Sequence, residues 1–144
     1  MTHTLEIREG DWSELGDIAG EIRRVVFIEE QQVPEDEEWD GRDDKCRHFL
    51  ALDAAGKALG TARLLPDGHI GRVAVLEEAR GRGVGLALME AAIASARRRG
   101  DATVALSAQT HALAFYERLG FHAHGETFLD AGIPHRNMTL SLHD

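Results

Sequence analysis

Six consecutive residues, Arg80-Gly81-Arg82-Gly83-Val84-Gly85, have the makings of an anion cradle. Three glycines on alternate positions let a phosphate approach the main chain with no Cβ in the way. Two arginines add charge-assisted donors. Before the run, Ile70-Gly71-Arg72-Val73-Ala74-Val75 is short and β-branched and predicts a strand. After it, Leu86-Ala87-Leu88-Met89-Glu90-Ala91-Ala92-Ile93 is made of strong helix formers. Strand, glycine-rich turn and helix in that order aim unpaired backbone N–H groups at an anion, so the run reads as a pyrophosphate cradle. Two familiar phosphate loops are excluded. No lysine follows the glycines, as a P-loop requires, and counting from Gly81 the third glycine slot of a dinucleotide fingerprint holds Leu86.

The pattern Arg80-x-x-Gly83-x-Gly85 resembles the acyl-CoA loop of the GNAT acetyltransferases. Downstream, Ala112-Leu113-Ala114-Phe115-Tyr116-Glu117-Arg118-Leu119-Gly120-Phe121 resembles the C-terminal motif of the same family, and the resemblance extends from about Leu5 to the C-terminus. Three further segments resemble the ElaA-like branch: Val26 to Pro34 with Asp40-Gly41-Arg42-Asp43 and His48, then Ser107-Ala108-Gln109-Thr110-His111, then Ala131-Gly132-Ile133-Pro134-His135. The resemblance implies a GNAT fold, an α/β architecture with a mixed, mostly antiparallel sheet, helices on both faces and splayed central strands at 70–75 and 103–107. The thioester arm of acetyl-CoA would lie between those strands. Backbone groups of Val73, Ala74 and Val75 would meet the pantetheine arm, and Arg80, Gly81, Arg82, Gly83, Val84 and Gly85 would hold the pyrophosphate. Tyr116 corresponds to the general acid that protonates the departing thiolate; its plain alternative is a core aromatic. Gln109 stands where many members have asparagine, seven residues before the tyrosine, and its longer arm changes the contact to be expected.

Acetyl transfer to an amine needs few protein groups, because the thioester is already activated and positioning supplies much of the rate. The attacking amine must be neutral, whereas a free alkylamine resembles lysine and is mostly protonated at neutral pH. A base or a water path must therefore remove a proton. Glu30 is the leading candidate, with Asp40, His48 and His135 as others; each has a plain alternative as a surface carboxylate or a hydrogen-bonded loop histidine. The co-substrate implied is acetyl-CoA, with no metal. His122 and His124 alternate on one strand and point the same way, but two histidines are too few for a metal site without a third ligand. The single Cys46 forms no internal disulfide and reads as a bystander thiol.

A chain of 144 residues is one domain, 1–144. No apolar run approaches the roughly 20 residues of a membrane span, and the first residues lack the regions of a signal peptide, so a cytoplasmic location is expected. The formal charge is −9, and the stretch from Glu29 to Asp44 alone holds nine acidic residues against one arginine, Arg42. Nucleic acid is an unlikely partner for such a surface, since binding it requires a basic footprint. Two readings of the stretch stand open: a solvated acidic loop, or an electrostatic funnel for a cationic amine. The function expected is N-acetyl transfer from acetyl-CoA to a small-molecule amine by direct attack in a ternary complex. The alternatives are acetylation of protein lysines or N-termini, and a non-catalytic acyl-CoA-binding regulatory module. Homodimers are common in the family, and no residue here marks an interface.

These residues need elements to position them. Leu5 and Ile7 predict a first strand. Asp11 with Glu14 makes a capping-box pattern opening a helix whose apolar positions Trp12, Leu15, Ile18, Ala19, Ile22, Val25 and Val26 should line the core. Arg47 to Leu52 and Ala58 to Leu65 predict an antiparallel pair. The helix after the cradle should end at Arg97-Arg98-Arg99-Gly100, with cations at its negative end and glycine as cap. Strands follow at Thr103–Ser107, Phe121–His124 and Pro134–Leu142, with a helix over Thr110–Leu119 between the first two.

Overall fold

Asp11 opens the first helix as its spacing to Glu14 predicts. The Asp11 carboxylate accepts from the Glu14 N–H while the Glu14 carboxylate accepts from the Asp11 N–H. In the computed structural model, which describes residues 4–142, this box starts α1 (Trp12–Arg23) directly after β1 (Glu6–Gly10). The apolar periodicity predicts helix as far as Phe27. Helix does continue, but it widens into a π-helix over Arg24–Glu30, a form frequent at functional sites. Leu15, Ala19, Ile22 and Val26 pack with Leu50, Leu52 and Ala74. Ile18, expected in the core, is 47% exposed: the apolar positions cover a wider arc of the helix than one sheet face can bury.

The described residues form seven strands in two sheets. β1, β2 (Arg47–Leu52), β3 (Ala58–Leu64) and β4 (Ile70–Val75) follow one another in order, each antiparallel to the next. The second sheet runs β5 (Thr103–Gln109), β7 (Ile133–Ser141), β6 (His122–Asp130), with β7 in the middle. β6 is longer than its predicted span, because a bulge between His124 and Phe128 absorbs Gly125-Glu126-Thr127 and lets pairing resume. α2 is a single turn (Glu35–Glu38), α3 covers Val84–Arg99 and α4 Leu113–Arg118. Gly100 caps α3 at φ 91°, as the terminal arginines and glycine predict. One core lies on the α1 side of the first sheet. The larger one lies on the α3 side and continues under the second sheet through Val104, Leu106, Ala108, Phe121 and Met138. Among the described residues no helix is long and apolar enough to cross a membrane.

Among the described residues the two sheets are bridged by backbone pairing at one place. His69 bridges Ala105 in parallel, the Ala105 N–H donates to the Gly68 carbonyl at 3.1 Å, and beyond that β4 and β5 make no further ladder. The splayed central strands implied by the resemblance are present.

The acidic stretch differs from both readings of it. Glu29 pairs with Arg24 and Glu30 with Arg80. Glu38 and Asp43 are buried on Arg23, at 2.7 Å each, and Arg23 itself is only 1% exposed. Arg63 binds Asp43 at 2.9 Å and Asp40 at 2.5 Å, and Arg72 meets Glu38 at 3.1 Å. The Arg23 guanidinium also lies over the rings of Trp12 and Trp39 at 5.6 and 5.1 Å. Five of the nine acids are thus paired with arginines, Glu29 within its own π-helix and the other four with arginines from other elements. Glu35, Asp36, Glu37 and Asp44 stay exposed, so no −8 surface remains. Hydrogen bonds from Arg63 hold the Asp40 carboxyl far below its usual range, and Arg23 and Arg63 overcome burial to lower Asp43. Removing one member of a buried ion cluster leaves its partner charged and unpaired, which typically costs about 3–5 kcal/mol. Asp43→Ala leaves Arg23 with Glu38 alone and Arg63 with Asp40 alone. Each buried guanidinium loses one of its two carboxylates, and urea denaturation should show a loss approaching that size; a loss below about 1 kcal/mol would mean that water already solvates this cluster.

Candidate active site

β4 does not run straight beside the gap. Thr61 faces Ala74 and Arg63 faces Gly71, so Ala62 alone opposes both Arg72 and Val73. Arg72 sits at φ 50°, an uncommon conformation for a side chain of its size. The bulge takes residue 72 out of the alternation begun by Ile70, which packs in the α3-side core. Arg72 is thereby delivered to the opposite side, where its Nη2 donates to the Glu37 and Glu38 carbonyls at 3.3 and 3.1 Å. The arginine that marks the bulge thus clamps the acidic stretch against the wall of the gap. Past the bulge, Ala74 is buried towards α1 and Val73 and Val75 pack towards α3.

The cradle has the expected shape. Gly81 and Gly83 adopt φ 79° and 80°, and a Cβ built on either meets nothing within 4 Å, so the main chain there faces open space. Gly83 is the N-cap of α3 and offers no side chain to its first turn, which leaves backbone donors for a ligand. Val84 buries its side chain and fixes the start of the helix in the core. Gly85 lies against Phe115 and Val75, at 3.7 and 3.8 Å from an ideal Cβ. Arg82 takes no ion-pair partner among the described residues and projects from the turn. These residues fit a pyrophosphate, and the unpaired edge of β4 beyond the bridge fits an extended arm that needs backbone partners.

Arg80 and Glu30, expected in separate roles, meet each other. Both Glu30 oxygens accept from the Arg80 guanidinium at 2.7 Å, and Arg80 Nε donates to the Val75 carbonyl at 3.0 Å. The arginine holds the Glu30 carboxyl below its usual range. A carboxylate so engaged is a weak base, and the pair instead staples the π-helix to the cradle and to the end of β4. A cavity of about 510 Å3 beside it is walled by Glu29, Glu30, Glu77 and Glu78, a lining that repels phosphate and separates this cavity from the cradle.

Tyr116 lies on α4, edge-on to Phe115 and Phe121 at 5.0 and 6.1 Å, and packs against the α3-side core. Burial pushes its phenol up to about 12, so it stays protonated at neutral pH. On the other face of β5, Gln109 Nε2 donates to Gln31 Oε1 at 3.0 Å. Gln31, the C-cap of the π-helix, is a contact that sequence reasoning missed, since nothing distinguishes it within Glu29-Glu30-Gln31-Gln32. Arg72 was also missed, although a charged residue inside a β-branched run is a legible sign of a bulge. His48 is buried, donates from Nε2 to the Asp43 carbonyl at 2.8 Å and packs on Trp12 at 4.8 Å; burial lowers its pKa. Asp40 is committed to Arg63. His48 and Asp40 therefore support the loop. His135 directly faces Gln109, and His122 and His124 face Thr139 and Asn137. Cys46 is buried, its thiol raised by desolvation and donating to the Arg42 carbonyl.

Comparison with known proteins agrees with this geometry. A family model described as an acetyltransferase (GNAT) domain matches residues 22–142. The uncharacterized N-acetyltransferase YjcF of Bacillus subtilis is 38% identical over 121 residues, covering 81% of this chain and 86% of YjcF. The structure of an acyl-CoA N-acyltransferase from Pseudomonas aeruginosa, 36% identical, superimposes with a TM-score of 0.82 over 96% of this chain and 100% of that one. ElaA of Escherichia coli, 32% identical, gives 0.83 with the same coverage, 96% and 100%. With its parted strands, its cradle and these relatives, the chain belongs to the GNAT acetyltransferase family and is an acyltransferase.

Proposed function

We propose that the protein is a cytoplasmic N-acetyltransferase that moves an acetyl group from acetyl-CoA to the amine of a small molecule by direct attack. The observation that carries this reading is the gap between β4 and β5, flanked by the cradle at the end of β4 and by Tyr116. When bound, acetyl-CoA supplies an activated thioester carbonyl and a thiol leaving group. Main-chain groups of Val73, Ala74 and Val75 orient the pantetheine arm along the free edge of β4, and a backbone N–H there offsets charge on the carbonyl oxygen. Gly81, Gly83 and Gly85 let the pyrophosphate reach the first turn of α3, with Arg82 as its charged partner. Arg80 keeps the turn in place through Glu30 and Val75, and its remaining N–H donors are free for phosphate.

Tyr116 gives its proton to the departing sulfur. The phenol holds its proton at neutral pH. A free CoA thiol should resemble cysteine, with a pKa of about 8.5, but the burial that raises the phenol also disfavours a bare thiolate leaving beside it, which is what lets the proton pass. For the acceptor, the pairing of Glu29, Glu30, Glu38, Asp40 and Asp43 with arginines reduces the charge that the acidic stretch offers a polycation. A small amine held by hydrogen bonds is better supported.

Two experiments bear on Tyr116. It is the only tyrosine in the chain, so phenolate absorbance reports it alone. In the folded protein it should remain un-ionised through pH 11, with a midpoint near 12, whereas in urea it should ionise near pH 10. The sign is that of a neutral form favoured by folding: its contribution to stability is complete below about pH 10 and lost as pH rises further. A folded-state midpoint near 10 would place the phenol in water. Second, Tyr116→Phe should bind acetyl-CoA with unchanged affinity by calorimetry and release CoA thiol about 10² to 10⁴ times more slowly with an amine acceptor. Unchanged turnover would remove the acid role.

A further inference from the structure

His135 is 9% exposed and has one ring nitrogen committed. Its Nδ1 lies 2.6 Å from the Ile133 carbonyl oxygen. A carbonyl only accepts, so Nδ1 carries the proton, and in the neutral ring Nε2 holds the lone pair. Nε2 has no protein partner among the described residues. The ring is stacked on Phe128, 6.0 Å between centroids, which limits its orientation. A buried, oriented imidazole with its basic nitrogen unpartnered is the arrangement of a proton acceptor waiting for a donor.

Its place in the sheets gives it that donor. His69 and Ala105 are level with each other at the bridge, and four residues further along β5, allowing for the extra residue of the β4 bulge, Gln109 stands about level with Val73 and Ala74 across the gap. Gln109 is in turn directly opposite His135 in the β5–β7 register, so their side chains share a face. That is not the face of Val104, Leu106 and Ala108, which lies in the α3-side core with Tyr116 packed against it. It is the face from which Gln109 reaches Gln31. Acid and imidazole therefore stand on opposite faces of the second sheet, at the level where β4 and β5 have parted. The amine adds to one face of the thioester carbonyl while the sulfur lies in its plane. The group that takes the proton from nitrogen and the group that gives one to sulfur therefore reach the tetrahedral carbon from different directions.

We propose that His135 Nε2 takes the proton of the acceptor amine, a role that rests on the transfer reading above. The nitrogen forms its bond to the carbonyl carbon and the carbon–sulfur bond breaks. An alkylammonium acceptor gives one proton to Nε2 before it attacks, and its nitrogen loses a second proton to solvent as the tetrahedral carbon collapses. Tyr116 protonates the sulfur, solvent reprotonates the phenolate, and the imidazolium releases its proton to solvent. Gln109 and Gln31, with one free amide function each, hold the substituents of the amine.

The test has two arms. In the free wild-type protein, ¹⁵N-resolved long-range spectra of the histidine rings should show neutral His135 protonated on Nδ1; a proton on Nε2 would overturn the proposal without reference to activity. In the second arm, His135→Gln should bind acetyl-CoA as the wild type does. It should lose about 10²-fold or more in kcat with a propylamine-type acceptor, yet lose far less with hydroxylamine, which is already neutral at pH 7. Equal losses with both acceptors, or turnover within twofold of wild type, would overturn the assignment while leaving the transfer reading intact. A wild-type protein that binds acetyl-CoA but acetylates no amine would overturn both.

Discussion

The structure turns on two strands that begin to pair and then stop. β4 and β5 share one bridge, at His69 and Ala105, and part beyond it. Unpaired strand edges must find hydrogen-bond partners in water or in a ligand, so the interruption leaves an edge that suits an extended, amide-bearing arm. The rest of the chain is arranged around keeping that gap open. The bulge at Arg72 and Val73 stops β4 from continuing flat. The cradle leaves the end of β4 at once, and α3 anchors it through Val84 in the core. On the far bank β7, not β4, completes the pairing of β5.

What stabilises this opening is electrostatic as much as apolar. Arg23 from α1, Arg63 from β3 and Arg72 from β4 converge on Glu38, Asp40 and Asp43. The segment after the π-helix is thereby tied to the strand that forms one wall of the gap. Buried ion clusters contribute little net stability compared with apolar packing, but they tolerate only one arrangement of partners. Such a cluster suits a place where a strained arginine and a loop must keep a fixed relation. The Arg80–Glu30 pair performs the same task at lower burial, between the π-helix and the cradle.

Much of the layout was legible before the coordinates. The strand, glycine turn and helix around Arg80 to Gly85, the capping box at Asp11, the Gly100 cap and the antiparallel pair at 47–65 all depend on local chemistry, and local chemistry is written in adjacent residues. Contacts between distant residues were not legible in the same way. A run of nine acids looks the same whether water solvates all of it or arginines pair with part of it, because Arg23, Arg63, Arg72 and Arg80 lie in other elements. Glu30 is a candidate base only through the resemblance of its segment, Val26 to Pro34, to the ElaA-like branch, and its partner in space, Arg80, is fifty residues away. The π-helix left no mark beyond ordinary helical periodicity, and Gln31 acquired meaning only through Gln109.

Amide hydrogen exchange with and without acetyl-CoA tests the central claim most directly. If the gap between β4 and β5 is the seat of the thioester arm, ligand should slow exchange at Val73 to Val75 and across Gly81 to Leu86. The α1-side helix face around Ile18 should stay unaffected. Protection that avoids β4, or that falls on the glutamate-lined cavity beside Glu77 and Glu78 instead, would contradict the account.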